Sequence, residues 1–205
     1  MEANVGNAAR ERAMEKDRLL AFTDGVIAII ITIMVLELTV PRSAGIDALG
    51  AVVPVFLSYV LSFAYVGIYW NNHHHFFHMV RHVDGVVLWA NLHLLFWLSL
   101  IPFATGWMGE NRFAPVPTAA YGVALLMPAL AWYGLQWAIL RKEGRDSALA
   151  RAIGRDLKGK ISPALYLAGI LLALVDPRIA GAIYVLVALL WFIPDRRIER
   201  AVRRP

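Results

Sequence analysis

Residues 18–40 read RLLAFTDGVIAIIITIMVLELTV. This run exceeds the roughly 20 mainly apolar residues that a membrane-crossing helix needs. Five more apolar runs follow between polar turns, and the pattern predicts helices at about 19–40, 48–70, 86–107, 117–140, 162–175 and 178–193. Pro41 is expected to end the first and Pro128 to kink the fourth. Ser162 is expected to cap the fifth, with Pro163 in its first turn. The stretch 71–84 reads as a polar, histidine-rich link. The stretch 141–160 reads as a solvated basic loop in preference to a surface helix. Residues 1–17 form a polar segment without the apolar core of a signal peptide. Residues 18–194 then form one membrane domain and 195–205 a basic tail.

Composition agrees with this reading. Hydrophobic residues make up 59% of the chain and charged residues 17%, far from the balance of a soluble domain. A barrel would show alternating segments of about 10 residues, and none appear. The fold class is therefore an all-α polytopic membrane protein. With no cysteine, disulfide and thiol chemistry are excluded.

A pI near 9.7 would suit a nucleic-acid partner, but the placement of charge points to the lipid bilayer instead. Of the 20 Lys and Arg residues, 17 fall in residues 1–18, the link 71–84, the stretch 141–160 and the tail. Only Arg42, Arg112 and Arg178 fall on the other side. Cytoplasmic loops hold the excess of positive charge, so both termini are expected in the cytoplasm, which six spans satisfy. Trp70, Trp107, Trp137 and Trp191 lie near expected helix ends, as interfacial anchors do.

The first helix carries the chemistry. Asp24 stands roughly 9 Å above Arg18 along the axis, inside the hydrocarbon edge. Charge at that depth marks a functional site by default, and a buried carboxylate needs donors. Arg18 lies on a different face. The candidate donors are Trp70, Asn71, His73 and His74, with Asn91 and His93 further along. Above Asp24, Ile29, Ile33 and Leu36 share one stripe, with Thr32 beside it. The stripe either packs within the subunit or lines a symmetric pore as a hydrophobic constriction. Glu37, at the outer end, is either a member of an acidic ring or a local partner of Arg42.

Two rival functions remain open. His74, His78 and His82, at i, i+4 and i+8, would suit a divalent metal, with Asp84 available. Asp24, Glu37 and the histidines would also suit a proton-coupled transporter, although the internal repeats and broken midplane helices usual in such carriers are not apparent. No nucleophile elbow, phosphate loop or metalloprotease helix suggests an enzyme.

The segment Arg18-Leu-Leu-Ala-Phe22-Thr23-Asp24 resembles the Arg-x-x-x-Phe-Ser-Asp signature of the transmembrane protein 175 family, the endolysosomal potassium channels and their bacterial relatives. The residues 25–29 and 35–37 are similar to bacterial members. So are Ser62-Phe63, Trp70-x-x-His73-His74, and Asn91 followed by Ile101-Pro102-Phe103. Thr23 departs from the family's Ser but keeps the hydroxyl. The resemblance implies a potassium-selective cation channel, a homotetramer in a bacterial plasma membrane, with the first helix of each subunit lining the pore. It places the constriction at Ile29, Ile33 and Leu36, with Thr32 as the adjacent polar ring. It also implies a network of Arg18, Phe22, Thr23, Asp24, Trp70, Asn91 and one of His73 or His74. No cofactor is implied; potassium is the permeant ion.

Overall fold

The computed structural model describes residues 2–41, 43–144, 147–154 and 157–192. All regular elements among them are helical: α1 (Glu2–Leu36), a 3-10 turn (Ile46–Ala48), α2 (Leu49–His78), α3 (Gly85–Leu98), α4 (Ile101–Glu110), α5 (Pro115–Glu143), α6 (Ala148–Ile153), α7 (Leu157–Ala173) and α8 (Pro177–Phe192). Four stretches are long and apolar enough to cross a membrane: Met14–Leu36, Ile46–His78, Gly85–Glu110 and Pro115–Glu143. The shorter α8 is also apolar. The chain is an integral, multi-pass membrane protein. The basic tail lies outside the described residues.

Several boundaries differ from the expected ones, each for a physical reason. The first helix stops at Leu36, five residues before Pro41. The β-branched Thr39 and Val40 follow, and a residue before proline is pushed out of the helical region. The second helix does not end at Trp70 but continues to His78. One face of the expected polar link is buried, through His73, Phe76 and Phe77. The third predicted helix is two helices, because Pro102 cannot donate the bond that would continue α3, and the chain turns at Ser99 and Leu100. The stretch 141–160 is not a loop: α5 runs to Glu143, and Ser147 caps the short α6 by accepting from the Ala150 amide. Ser162 lies inside α7, where its hydroxyl donates to the Lys158 carbonyl and accepts from Trp191 Nε1.

Two buried clusters share α2 and α5. One joins α1, α2, α3 and α5 around Val66, Phe77, Leu94 and Leu135; the other joins α2, α4, α5, α7 and α8 around Tyr65, Tyr121 and Tyr184. Lipid gives helices no hydrophobic reason to associate, so close approach at small residues carries the packing. Gly169 receives the Tyr184 ring, and Gly122 its hydroxyl end. Gly109 of α4 lies on α2, where an added Cβ would come to 2.8 Å from Val55 Cα and 2.5 Å from Ser58 Oγ. Ser62 ties the same contact together, bonding Thr105 at 2.6 Å and Tyr121 at 2.9 Å.

Backbone cannot step aside as a flexible side chain can. Gly109→Ala is therefore expected to destabilise the protein by about 1–3 kcal/mol, the usual cost of overpacking. Thermal unfolding in detergent would measure it, and an unchanged midpoint would show that α2 and α4 adjust freely.

Candidate functional site

An α-helix turns about 100° per residue, so the faces of α1 follow from its sequence. Relative to Thr23, the side chains of Leu19, Ile27, Ile30 and Met34 fall within about 40°. All five are buried. Ile29, Thr32, Ile33 and Leu36 fall at roughly 180–280°, the opposite side. Ile29 is 58% exposed, Ile33 43% and Leu36 83%. The stripe is thus largely exposed, with Ile29 and Ile33 on the rim of a cleft shared with Pro102 and Phe103 of α4. Thr32 is exposed and turns its hydroxyl to the Ile29 carbonyl at 2.9 Å, leaving its lone pairs outward.

The inner face is held by a chain of neutral polar groups. Asn91 Nδ2 of α3 donates to Thr23 Oγ1 at 2.9 Å, and His73 Nε2 of α2 donates to Asn91 Oδ1 at 2.9 Å. All three residues are buried. Phe77 stacks on the His73 ring at 4.3 Å between centroids. The chain joins α1, α2 and α3 at one level. The methyl of Thr23 is accommodated without exposing the residue. Beside it, Trp70 Nε1 donates to Asp24 Oδ1 at 3.0 Å, so Trp70 meets the carboxylate as well as the bilayer-facing surface.

Other residues of the expected network stand apart. Arg18 is exposed at the rim of a cleft shared with Asp84, Leu88 and Asn91, and bonds none of the network members. Phe22 is 54% exposed and contributes no polar group. His74 stacks on Trp70 and bonds His78 through the two Nε2 atoms at 3.0 Å. The third histidine of the metal reading leaves the register, because the helix ends at His78 and His82 turns to Glu143 at 3.5 Å. Among the described residues no group of three metal-ligating side chains is assembled. Glu37 does not share the face of the stripe. It turns inward onto Gly106 of α4, and Arg42, its expected partner, lies outside the described residues.

A second clasp was not visible in the sequence. Glu143 accepts from the backbone amides of Arg81 and His82 at 2.7 and 3.1 Å, while Lys142 reaches Asp84 at 2.7 Å. Asp84 also caps α3 by accepting from the Val87 amide. Lys16 of α1 donates to the Val80 carbonyl at 3.0 Å, tying α1 to the same turn. The Lys142 bond, with the Val87 amide, holds the Asp84 carboxyl below its ordinary range. Apart from the Val87 cap, the paired groups lie more than 50 positions apart in sequence, beyond any local spacing rule.

The described residues thus form a multi-helix membrane bundle whose first helix keeps a polar clasp inward and an aliphatic stripe outward. A family model described as "Endosomal/lysosomal potassium channel TMEM175" matches residues 18–102. A potassium channel of Chryseobacterium sp. (strain P1-3) is 54% identical over 190 residues, covering 93% of this chain and 99% of that one. The human endosomal/lysosomal proton channel TMEM175 is 36% identical over 116 residues, 51% of this chain and 23% of that protein. The crystal structure of a lysosomal potassium-selective channel TMEM175 homolog from Chamaesiphon minutus superposes with a TM-score of 0.78 at 27% identity, covering 88% of this chain and 97% of that one. The chain belongs to the TMEM175 family of ion channels.

Two outcomes test the clasps. Thr23→Val keeps shape but leaves the Asn91 donor buried without an acceptor, at an expected cost of about 1–3 kcal/mol. A double-mutant cycle with Asn91→Leu should recover part of that loss, whereas additive effects would show that the two side chains act independently. Asp84→Asn should lower stability at neutral pH. A depressed carboxyl stabilises the fold above its unfolded value and stops doing so as pH falls through its folded value. The wild-type advantage should therefore fade below about pH 4. Thermal melts across pH check the convergence.

Proposed function

We propose that the chain is a cation channel that conducts potassium passively through a pore lined by α1 from four copies. In this reading Ile29, Ile33 and Leu36 form the constriction, and Thr32 supplies the adjacent ring of hydroxyls. The supporting observation is the division of α1 into a buried face and an exposed aliphatic stripe. Branched side chains at a pore axis exclude water and make ions shed hydration, so selectivity follows from radius and dehydration cost. The relatives named as potassium channels support the permeant ion. Six spans, with α7 and α8 as the last two, place both termini in the cytoplasm of a bacterial plasma membrane, in accord with the distribution of positive charge. The clasp of Thr23, Asn91 and His73 holds α1 in the orientation that turns the stripe to the axis. On this view Asp24→Ala impairs folding or assembly more than selectivity.

Proton permeation through the same path is the second reading, favoured by the name of the mammalian relatives. The test is a planar bilayer containing the purified protein under a KCl gradient, followed by replacement of one side with NaCl and then by a pH gradient. Discrete currents reversing near the potassium potential are expected. Ile29→Asn should raise unitary conductance several-fold, since a polar side chain lowers the barrier set by dewetting. Turnover without unitary currents would favour a carrier. Unchanged conductance in Ile29→Asn would remove the constriction from this position.

A further inference from the structure

The outer end of α1 is fastened differently from the inner end. Glu37 follows the last helical residue, at an azimuth about 40° from Thr23, and its side chain reaches α4. At Gly106 an added Cβ would lie 2.8 Å from Glu37 Oε2 and 3.2 Å from its Cδ. Glycine leaves room for the carboxyl there, and a Cβ would push it off the seat. Oε2 is buried and meets no hydrogen-bond partner among the described residues. The seat lies at the end of a cleft between α1 and α4, which also takes in Ile29, Ile33, Pro102 and Phe103. One turn beyond Gly106, α4 carries Glu110, the charged group that acts on Glu37 from the facing helix. The other residues of α1 within a turn of Glu37 are uncharged.

We infer that Glu37 is a proton-operated latch: neutral, it seats its carboxyl on Gly106 and fastens the outer end of α1 to α4; ionised, it leaves the seat. With the carboxyl ionised, the buried Oε2 would carry charge without a donor and beside Glu110, and protonation lessens both costs. Burial first and Glu110 second raise the affinity of Glu37 for its proton. The seated form binds the proton more tightly than the released form, so falling pH favours seating and rising pH favours release. Glu37 is then a positioning residue. It lies next to Leu36 and four residues beyond Ile33, so release frees the part of α1 that carries the outer stripe. The effect on conduction rests on the pore reading above; the latch itself does not.

The absence of native cysteine makes the test direct. Spin labels on Thr39→Cys and Phe103→Cys, both exposed, the second at the rim of the cleft, report the separation of α1 and α4 in the full-length protein in liposomes. From about pH 4 to pH 9 the labels should pass from a short to a long separation, with a midpoint above the ordinary glutamate value of about 4.3. Glu37→Gln should hold the short separation throughout. Glu110→Gln should move the midpoint down, because the like charge is gone. Gly106→Ala should give the long separation at every pH. A separation that ignores pH, or that titrates equally in Glu37→Gln, overturns the latch. Currents in the same liposomes separate the two readings. A titrating distance without currents keeps the latch and removes the pore. Currents with a fixed distance keep the pore and remove the latch.

Discussion

A polar side chain placed in hydrocarbon must find its partner inside the protein, and this requirement fixes which face of α1 turns inward. Thr23 is wholly buried and has one acceptor site taken by Asn91, which is itself held by His73. Rotating α1 by a quarter turn would break that chain and leave a donor in lipid, where each unsatisfied group costs several kcal/mol. The aliphatic residues of α1 place no comparable restriction, since lipid and protein interior are similarly apolar to them. The orientation of Ile29, Ile33 and Leu36 is therefore a consequence of three polar residues, Thr23 on the same helix and Asn91 and His73 on its neighbours.

The same absence of a hydrophobic drive explains where the helices touch. Gly109 lets α4 lie against the backbone of α2, and Gly122 and Gly169 receive Tyr184 from α8. The break before Pro102 divides one apolar stretch into α3 and α4, so each half approaches α1 separately. The lower half, α3, brings Asn91 to Thr23, and the upper half, α4, brings Gly106 to Glu37. A single straight helix would have to satisfy both contacts with one direction.

The sequence made the apolar runs and the stripe of α1 legible because both depend on local spacing. The extension of α2 was hidden because Asn71 to His78 was judged by polarity. Its helical period instead puts His73, Phe76 and Phe77 on one buried face among exposed neighbours. Pro102 was visible as a residue but was absorbed into an apolar run of convincing length. The position of Glu37 at the outer end suggests an acidic ring or a partnership with Arg42, although one residue of helical rotation past Leu36 returns it toward the inward face. The partnership of Glu143 with the 81–82 backbone could not be read at all, since it depends on α5 returning to the end of α2.

These contacts give the two ends of α1 different constraints. The bond between Thr23 and Asn91 joins groups that carry no charge at any pH, and it lies between three helices packed at one level. The seat of Glu37 is a contact between two elements, made by a group that can ionise. Helix 1 is therefore fixed in azimuth near Ile29 and conditional near Leu36. If α1 lines a pore as proposed, a change in its calibre should arise at Ile33 and Leu36 first, with Ile29 as the constant restriction below them. On the proposed pore reading, the chemistry that sets the minimum radius and the chemistry that varies it would then lie eight residues apart, between Ile29 and Glu37, in the outer part of one helix.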